Sequence, residues 1–342
     1  MHLYYTPDTQ RLNVLIEASA SSAIPTTEAE NVYTPLANCP TILTQLGIAD
    51  ADNIANTYNG MSYVMRLSDG SFVVIDGGHN TPENADYIYK LIKKQAKTED
   101  PVIAAWIFTH AHGDHVLTFP IFAQKYGNEI DVERFIYNFL SSSRYSGTEG
   151  TEGHEATVYA TIDTYYPEAA VTIAHAGQRF YIRNAVVDIL YAAELYTPEL
   201  IADYNSGSLV FTIEADGVKS FFFGDAYKDV GDIMTAIYDE TVFKSDVMQV
   251  SHHGISTTPS DLYPIIAPSY VLWPLTTEYG GNAYDYNNRD YVNQSQNNYF
   301  KTYTKDTNLW MSDDDIVLLT FRNGEVSAEK HEDISVYLGL NS

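Results

Sequence analysis

Apolar and polar positions along the first part of the chain predict a hairpin, a helix and a buried strand. SYVMRL and SFVVID are β-rich runs separated by Ser68-Asp69-Gly70, a sequence typical of a hairpin turn. NADYIYKLIKKQAK (84–97) has helical spacing and ends in basic residues, as a helix C-terminus favours. VIAAWIFTH (102–110) is a nearly continuous apolar run, which indicates a strand buried on both faces.

The second half of the chain predicts further strands with one helix among them. Asp216-Gly217 and Asn323-Gly324 are turn signals, each between two β-rich runs. The predicted strands are AVVDILYA (185–192), SLVFTIEA (208–215), KSFFFGD (219–225), SDVMQVSHHG (245–254), SYVLWPL (269–275), IVLLTF (316–321) and EVSAEK (325–330). VGDIMTAIY (230–238) is the helix candidate. Two sheets flanked by helices satisfy this pattern, so we expect an α+β fold.

The first 58 residues carry no recognisable motif, and we predict an N-terminal extension (1–58) packed on a main domain (59–342). Within the extension, RLNVLIEA (11–18) favours a strand, and TILTQLGIADADNIAN (41–56) favours a short helix with its loop. The start, MHLYYTPDTQ, has neither a basic patch nor an apolar stretch, so it is not a signal peptide as written. We expect a cytoplasmic protein as written, or an exported one if a signal peptide has been removed.

Composition is that of a globular protein, and its charge narrows the choice of partners. Hydrophobic residues make up 45% and charged residues 19% of the 342. The net charge of −26 repels phosphate backbones, so binding of long nucleic acid is disfavoured.

The single cysteine, Cys39, excludes an intramolecular disulfide and a thiolate zinc cluster. No apolar run reaches about 18 residues, so no membrane span is expected. The oligomeric state is open.

Potential metal ligands are concentrated directly after the predicted buried strand. His110, His112, Asp114 and His115 fall within six residues, in HAHGDH. Such side chains need partners there, because uncompensated polar burial is costly. A divalent cation accepts both histidine nitrogen and aspartate oxygen. Since alternate residues point to one side, His110 and His112 can chelate one ion while Asp114 and His115 reach a second.

Two later strand ends carry the same chemistry. Asp225 follows the apolar run FFFG and could bridge two ions. His252 and His253 follow another apolar run in VMQVSHHG. Adjacent side chains at a strand end diverge, so one of these histidines is expected to bind metal, while the other meets the substrate or donates a proton. Three strand ends with ligand chemistry predict a shared site.

HAHGDH resembles the HxHxDH signature of the metallo-β-lactamase superfamily. VVIDGG, the Gly-Asp element and His-His-Gly extend this resemblance over roughly residues 60–325. It implies a four-layer αβ/βα sandwich with two metal ions: one held by the first two histidines, one by Asp114, His115 and a late histidine, with Asp225 as the bridge. The implied metal ligands are His110, His112, Asp114, His115, His175, Asp225 and His253.

Two of these assignments are choices between histidines. The family pattern places the late ligand immediately before glycine, which favours His253 over His252. The first ion expects a third histidine, for which His154 and His175 are the candidates. AHAGQRFYIRN resembles a family segment and favours His175. Asp76, in IDGG, resembles the family aspartate that orients a metal-binding histidine.

The implied chemistry is hydrolysis. Two divalent ions, with Zn²⁺ expected and Mn²⁺ or Fe²⁺ also suited to these ligands, would share a water and supply hydroxide at neutral pH. Asp114 or Asp225 could accept its proton, and the unligated histidine, expected to be His252, could protonate the leaving group. True zinc β-lactamases lack the bridging aspartate, and flavodiiron oxidoreductases replace motif ligands with carboxylates. β-Lactam hydrolysis and oxygen chemistry are therefore disfavoured.

Resemblance to one branch of the superfamily narrows the expected class of substrate. NSGSLVFTIEADGVKSFFFGD and VSHHGIS resemble a branch that includes the hydrolase domain of DNA-uptake channel proteins and bacterial phosphorylcholine esterases. We therefore expect hydrolysis of a phosphodiester on a small or surface-attached substrate. Hydrolysis of a carboxylic ester, lactone or thioester is the alternative, and a non-catalytic metal-binding module is an alternative of another class.

The Tyr- and Asn-rich tract 279–303 is predicted to be a surface loop, whose tyrosines could instead hold a cationic group.

Overall fold

The computed structural model describes residues 31–47, 60–139, 153–196, 201, 204–254, 258–276, 308–313 and 315–340. The predicted strand at 11–18 and the Tyr- and Asn-rich tract at 279–303 lie outside the described residues.

Most apolar runs singled out in the sequence form strands. The strands are β1 (Thr41–Leu46), β2 (Ser62–Arg66), β3 (Phe72–Asp76), β4 (Val102–Ile107), β5 (Asp131–Val132), β6 (Arg134–Tyr137), β7 (Ala170–Ile173), β8 (Arg179–Ile182), β9 (Ala185–Tyr191), β10 (Val210–Ala215), β11 (Val218–Phe222), β12 (Val247–Gln249), β13 (Tyr270–Trp273), β14 (Leu309–Met311), β15 (Ile316–Arg322) and β16 (Glu325–His331). The α-helices are α1 (Pro82–Gln95), α2 (Gly113–Val116), α3 (Thr118–Tyr126), α4 (Glu155–Tyr165), α5 (Lys228–Ile237), α6 (Tyr263–Ile266) and α7 (Ile334–Leu338). The predicted helices at 84–97 and 230–238 correspond to α1 and α5.

The strands of the described residues form two mixed sheets. The larger has the order β16-β15-β1-β2-β3-β4-β6-β7, with β5 paired to β4, and the smaller has the order β14-β13-β12-β11-β10-β9-β8. Strands β3, β4, β6 and β7 run parallel, as do β11 to β14. Parallel neighbours end at the same edge of a sheet. The loops after β4, β11 and β12, which carry the predicted ligands, therefore leave the carboxyl edges of their sheets.

Side chains on the two faces of each sheet build a four-layer sandwich. Along β3, Val73 and Ile75 enter the core between the sheets, where they join Phe211 and Phe222 of the smaller sheet. The alternate residue Val74 packs on the outer face with apolar residues of α1, α3 and α4. The outer face of the smaller sheet packs against α5 and α6. This arrangement confirms the predicted α+β sandwich, because each sheet buries one face on the other sheet and one on helices.

The tight turns predicted from sequence are confirmed. Asn323 and Gly324 join β15 to β16 with φ of 51° and 81°, and Asp216 and Gly217 join β10 to β11 with φ of 52° and 78°. Positive φ at both central residues is the geometry that matches the twist of a two-residue hairpin, and Asn, Asp and Gly adopt it most readily. The turn at Ser68-Asp69-Gly70 likewise joins the antiparallel strands β2 and β3.

The predicted helix at 41–56 is wrong for Thr41–Leu46, which is strand β1. It pairs antiparallel with β2 on one side and β15 on the other, inside the larger sheet. Leu43 is buried between the sheets, whereas Ile42 packs toward the helical layer. A six-residue apolar segment fits either period, and here the neighbouring strands decide the outcome. Residues 48–56 lie outside the described part.

In the described part of the chain, no helix has the length and apolarity needed to cross a membrane.

Candidate metal centre

The HAHGDH segment forms the loop that leaves β4 and the first turn of a short helix. His112 precedes α2, and Asp114 and His115 lie within it. The backbone N–H groups of His115 and Val116 both donate to the His112 carbonyl, at 3.1 Å. This tight turn follows a fully buried strand end, so His110 and His115 become buried as well, at 2% and 0% exposure.

Four side chains from three strand ends converge into one buried cluster. Asp114, His115, Asp225 and His253 each offer a ligand atom, and these atoms all lie within 4.8 Å of one another. His253 Nε2 lies 3.1 Å from Asp114 Oδ2 and 3.2 Å from Asp225 Oδ2. His115 Nε2 lies 3.2 Å from Asp225 Oδ1. The larger sheet supplies the first two residues and the smaller sheet supplies the other two.

His110 and His112 form a second group of imidazoles near Asp225. His110 Nε2 lies 3.1 Å from His112 Nδ1 and 3.9 Å from Asp225 Oδ2. The Asp225 carboxylate therefore approaches nitrogens of both histidine groups: His110 at 3.9 Å, and His115 and His253 at 3.2 Å each. A carboxylate in this position can contribute an oxygen to each of two neighbouring ions.

Hydrogen bonds fix which ring nitrogen faces the cluster. His115 Nδ1 lies 2.7 Å from Asp76 Oδ2, and His253 Nδ1 lies 2.7 Å from the Pro274 carbonyl oxygen. Because each acceptor requires an N–H, both rings carry their proton on Nδ1 and direct Nε2 inward. Asp76 is itself held by the Thr109 N–H at 2.8 Å and the Thr109 hydroxyl at 2.7 Å.

The backbone of Asp76 is also unusual. Its φ of 53° places a non-glycine residue in the left-handed region, and its carbonyl accepts from Trp106 Nε1 at 2.8 Å. Such strain persists where surrounding contacts determine the conformation. The contact between Asp76 and His115 is the one that the sequence resemblance implied.

The electrostatics of the cluster call for positive charge. Burial disfavours a charged His115, yet Asp225, Asp114 and Asp76 raise its pKa well above the usual range. Burial acts likewise on His253, whose pKa Asp225 and Asp114 raise to about 9. Burial and the neighbouring His115 and His112 instead hold the pKa of His110 well below its usual value. Burial would raise the pKa of Asp225, but His115 and His253 hold it well below the usual range.

These residues fit a bound cation. His115 Nε2 and His253 Nε2 lie 3.3 Å apart, and in the neutral rings each presents a lone pair to the other. Asp225 Oδ1 is buried and has no hydrogen-bond partner in the described structure. A cation bound among these atoms would accept the two facing lone pairs of the histidines and would give the buried Asp225 oxygen a partner. Imidazole nitrogen and carboxylate oxygen together are a donor set that Zn²⁺ accepts.

The two candidates for a third histidine of the first group lie in different places. His175 follows β7, and its Nδ1 lies 3.2 Å from Glu194 Oε1; in the described structure its contacts are with that carboxylate and its own loop. The His154 N–H donates to the Ala111 carbonyl at 2.9 Å, within the HAHGDH loop. His154 Nε2 is 3.4 Å from where a Cβ on Gly113 would stand. Proximity to the motif thus favours His154, whereas the sequence pattern favours His175.

His252 and His253 point in different directions. His253 is 1% exposed and belongs to the cluster, whereas His252 is only partly buried and is not in that group. His252 Nε2 contacts Asn205 Nδ2 at 3.3 Å. Asn205 and Thr109 are contacts of the site that the sequence did not single out. Thr109 could have been found as the residue adjoining the motif, but a lone asparagine in a loop carries no comparable signal.

The family follows from comparison with known proteins. The model of the metallo-β-lactamase superfamily matches residues 55–263. The chain belongs to the metallo-β-lactamase superfamily. Proteins of this superfamily are generally metal-dependent hydrolases, and the cluster around Asp225 is the candidate metal centre of this member.

Distant solved structures are similar to this superfamily member over most of its length. The metallo-β-lactamase fold protein YhfI from Bacillus subtilis is 11% identical, with 78% of this chain and 94% of that chain covered and a TM-score of 0.45. Human tRNase Z, short form, is 15% identical, with coverage of 72% and 97% and a TM-score of 0.40. CmlA, a diiron β-hydroxylase from Streptomyces venezuelae, is 9% identical, with coverage of 72% and 46% and a TM-score of 0.43. No curated protein matches the chain by sequence.

Proposed function

We propose that this protein is a dinuclear metal-dependent hydrolase that cleaves a phosphodiester in a small or surface-attached substrate. The observation that carries the proposal is the buried Asp225 carboxylate, which lies 3.9 Å from His110 Nε2 and 3.2 Å from the Nε2 atoms of both His115 and His253. A carboxylate shared by two groups of nitrogen ligands would suit two ions that act together.

The proposed ligands divide into two sets that share Asp225. His110 and His112 would hold the first ion, with His175 as the third histidine favoured by the sequence pattern and His154, whose N–H donates to the motif loop, as the alternative. Asp114, His115 and His253 would hold the second ion. We propose Zn²⁺ for both positions, because the set contains only imidazole nitrogen and carboxylate oxygen, and we expect Mn²⁺ or Fe²⁺ to be accepted less readily.

Two residues of the chain are assigned to the proton acceptor and to the leaving-group side of the proposed reaction. When bound, two divalent ions would lower the pKa of a shared water and stabilise developing negative charge. The side chain of Asp114 is 17% exposed against 3% for Asp225, so Asp114 is the carboxylate that can accept a proton and pass it to solvent. His252 is only partly buried and is not in the cluster, and we assign it to the leaving-group side of the substrate.

Charge and sequence resemblance support the substrate class. The net charge of −26 opposes a long polyanion, whereas a single phosphodiester can be held locally by metal charge. The segments around Asp225 and His253 resemble the branch that contains phosphorylcholine esterases and the hydrolase domain of DNA-uptake channel proteins.

Metal analysis of protein purified without chelators tests the centre itself. We expect about two equivalents of zinc in the wild type and a clear loss in Asp225→Asn, because one oxygen of the bridge becomes an amide nitrogen that cannot ligate. Asp232→Asn removes a carboxylate exposed on α5 and is the matched control. A wild type that takes up no metal on reconstitution would refute the dinuclear assignment.

Substrate panels test the reaction. Metal-loaded protein should hydrolyse bis-p-nitrophenyl phosphate or p-nitrophenyl phosphorylcholine, and Asp225→Asn should not. Hydrolysis of lactones or thioesters with both phosphodiesters untouched would replace the proposal with carboxylic ester chemistry. Full metal content with no turnover on either panel would favour a binding module.

A further inference from the structure

Two turns of the smaller sheet carry proposed ligands, and strand pairing alone does not determine how far apart those ligands lie. Asp225 is in the turn after β11, and His253 is in the turn after β12. The β11–β12 ladder ends at the pair Phe221–Met248, four residues before Asp225 and five before His253. The two side chains nevertheless meet in the cluster, where His253 Nε2 is 3.2 Å from Asp225 Oδ2. Other contacts must therefore hold the two turns together.

The Gln249 side chain joins the end of β12 to the turn after β11. It is buried, and its Oε1 accepts from the Phe223 N–H at 2.8 Å. Since only the amide oxygen can accept there, the amide orientation is determined. Nε2 then donates to the carbonyls of Gly224 at 2.9 Å and Val250 at 2.6 Å. Gln249 thus binds two backbone groups of the residues that immediately precede Asp225.

Two further hydrogen bonds join the same turns. The buried Ser251 hydroxyl donates to the Ala226 carbonyl at 2.6 Å. The His252 N–H donates to the Gly224 carbonyl at 3.1 Å. The carbonyls of the residues before and after Asp225 therefore both accept from the end of β12 and the turn that follows it.

The turn of Asp225 is closely packed against other parts of the molecule as well. Gly224 has φ of 56°, and a Cβ there would lie 2.7 Å from Thr109 Cβ and 3.2 Å from Ser208 Cβ. The Asp225 N–H donates to Ser208 Oγ at 3.1 Å. Close packing against Thr109 and Ser208 and the hydrogen bonds from the β12 side together determine where the Asp225 backbone lies.

We propose that Gln249 and Ser251 are positioning residues that fix the Asp225 carboxylate relative to His253 and so set the spacing of the ligands around the metal ions. The inference rests on the proposed function and specifies which buried side chains hold its shared carboxylate in place. Both residues act through backbone groups of the turn, so their replacement alters the position of a ligand without removing one. Loss of a donor leaves a buried carbonyl unpaired, which is costly, and a turn that moves to find another partner carries Asp225 with it.

The zinc affinity of two serine variants tests the inference without any assay of activity. Ser251→Ala removes the bond to the Ala226 carbonyl, and competition with a chromophoric chelator should show a loss of zinc affinity of about tenfold. Ser245→Ala is the matched control, because the buried Ser245 hydroxyl donates to the Phe243 carbonyl at 3.1 Å, before β12 begins. A zinc affinity of Ser251→Ala equal to that of the wild type, or an equal loss in the two variants, would overturn the inference.

Two glutamine variants separate positioning from support of the fold. Gln249→Met retains the length of the side chain but removes its three bonds, and zinc affinity should fall about 100-fold. Gln45→Met is the matched control, because the buried Gln45 Nε2 also donates to backbone carbonyls, those of Trp310 at 3.2 Å and Met311 at 3.4 Å. In chelator, both variants should shift the urea midpoint downward, whereas only Gln249→Met should lose zinc affinity. An equal loss of zinc affinity in both would show that Gln249 supports the fold alone; if Gln249→Met does not fold, the serine variants decide.

Electron paramagnetic resonance of the manganese-loaded protein reports on the shared carboxylate. Two Mn²⁺ ions that share Asp225 should give an exchange-coupled signal in the wild type. At equal manganese content, Ser251→Ala should show a weaker coupled signal and more of the signal of isolated Mn²⁺, because a displaced carboxylate bridges poorly. Ser245→Ala should keep the wild-type spectrum. A coupled signal of wild-type intensity in Ser251→Ala would contradict the positioning of Asp225.

Failure of the inference and failure of the proposed function give different results. An active wild type with two zinc ions, whose affinity is unchanged in Ser251→Ala and Gln249→Met, would refute the positioning and leave the hydrolase intact. A wild type inactive on every substrate, with zinc affinity lowered in these two variants but not in their controls, would refute the hydrolase and support the positioning. A wild type that binds a single zinc ion, with affinity lowered in the same two variants alone, would refute the dinuclear assignment and support the positioning.

Discussion

Single residues determine whether the proposed centre binds metal tightly, and Asp76 acts on it through His115. The carboxylate fixes the Nδ1–H form of His115 and is itself fixed by two donors from Thr109. Asp76→Asn weakens this acceptor and sets an amide against the Thr109 donors. We expect zinc affinity to fall about 10- to 100-fold, the range found when such supporting partners are removed. Competition with a chromophoric chelator measures the change.

Asp188→Asn is the matched control for this prediction, because Asp188 pairs with Arg179 at the surface, outside the cluster. An affinity unchanged in Asp76→Asn, or an equal loss in both variants, would contradict the role of Asp76.

At this scale, sequence predicts residues whose chemistry is conspicuous and misses those that act through a neighbour. His110, His112, Asp114 and His115 stand out because ligand types crowd a buried strand end. Asn205 does not, because its contact with the site is made through His252, 47 positions away in the chain. His154 is one of the two candidates that sequence offers for the third histidine, but its proximity to Gly113 depends on how the chain before α4 packs against the motif loop, which sequence does not show.

Among the structural elements, the turn at Ser251–Gly254 is where backbone and site are most tightly coupled. Gly254 has φ of 71°, and a Cβ there would lie 2.4 Å from the Trp273 ring. Gly254→Ala therefore combines backbone strain with a clash, and it displaces the adjacent His253. We expect a loss of unfolding free energy of roughly 3 kcal/mol or more, together with weaker zinc binding.

Gly177→Ala separates the two causes, because Gly177 has φ of 83° but nothing within 4 Å of an added Cβ. This variant should lose only about 1 kcal/mol and retain zinc. Urea unfolding and metal analysis of both variants decide the matter, and equal losses would show that strain alone is responsible.

The β15–β16 hairpin contains a buried carboxylate whose ionisation should appear in stability. Burial raises the pKa of Asp315 to about 6, although Lys330 lies 2.6 Å away and opposes the shift. A carboxyl group whose pKa is higher in the folded state contributes stability below its unfolded pKa near 4 and loses that contribution as pH rises through 6. Asp315→Asn should therefore gain stability relative to wild type between pH 4 and 7, on the order of 2 kcal/mol.

Urea unfolding of both proteins in chelator, across this pH range, measures the difference without a contribution from metal release. Glu325→Gln alters an exposed residue of the same hairpin and should show no such trend. A difference between Asp315→Asn and wild type that is flat with pH would contradict the buried-carboxyl interpretation.

Strands and turns could be predicted from sequence where the turn residues and the length of the neighbouring segments indicated the same structure. Asn323-Gly324 and Asp216-Gly217 predict two-residue turns because few other residues tolerate positive φ at both positions. Strand β1 was not predictable, since TILTQL is short enough to fit a helix or a strand and only its pairing with β2 and β15 decides. Residues 41–46 therefore contribute a strand to the larger sheet.

On the scale of the whole molecule, the proposed centre joins the two sheets. The larger sheet supplies Asp114 and His115 after β4, and the smaller supplies Asp225 and His253 after β11 and β12. The sequence could show that three strand ends carry ligands, but it could not show that they belong to different sheets. If the sheets separated, Asp114 and His115 would move away from Asp225 and His253. The stability of the centre and that of the core between the sheets therefore depend on each other.

Metal binding should accordingly stabilise both sheets rather than one of them. A ligand that binds only the folded state adds about 2.7 kcal/mol at a free concentration of 100 times its Kd. We expect the urea midpoint of the wild type to rise steadily with the logarithm of free zinc, and Asp225→Asn to show little dependence. Hydrogen exchange should report zinc-dependent protection in both β4 and β11, because opening either sheet removes ligands. Protection confined to the larger sheet would mean that Asp225 and His253 do not share the ions held by the HAHGDH loop.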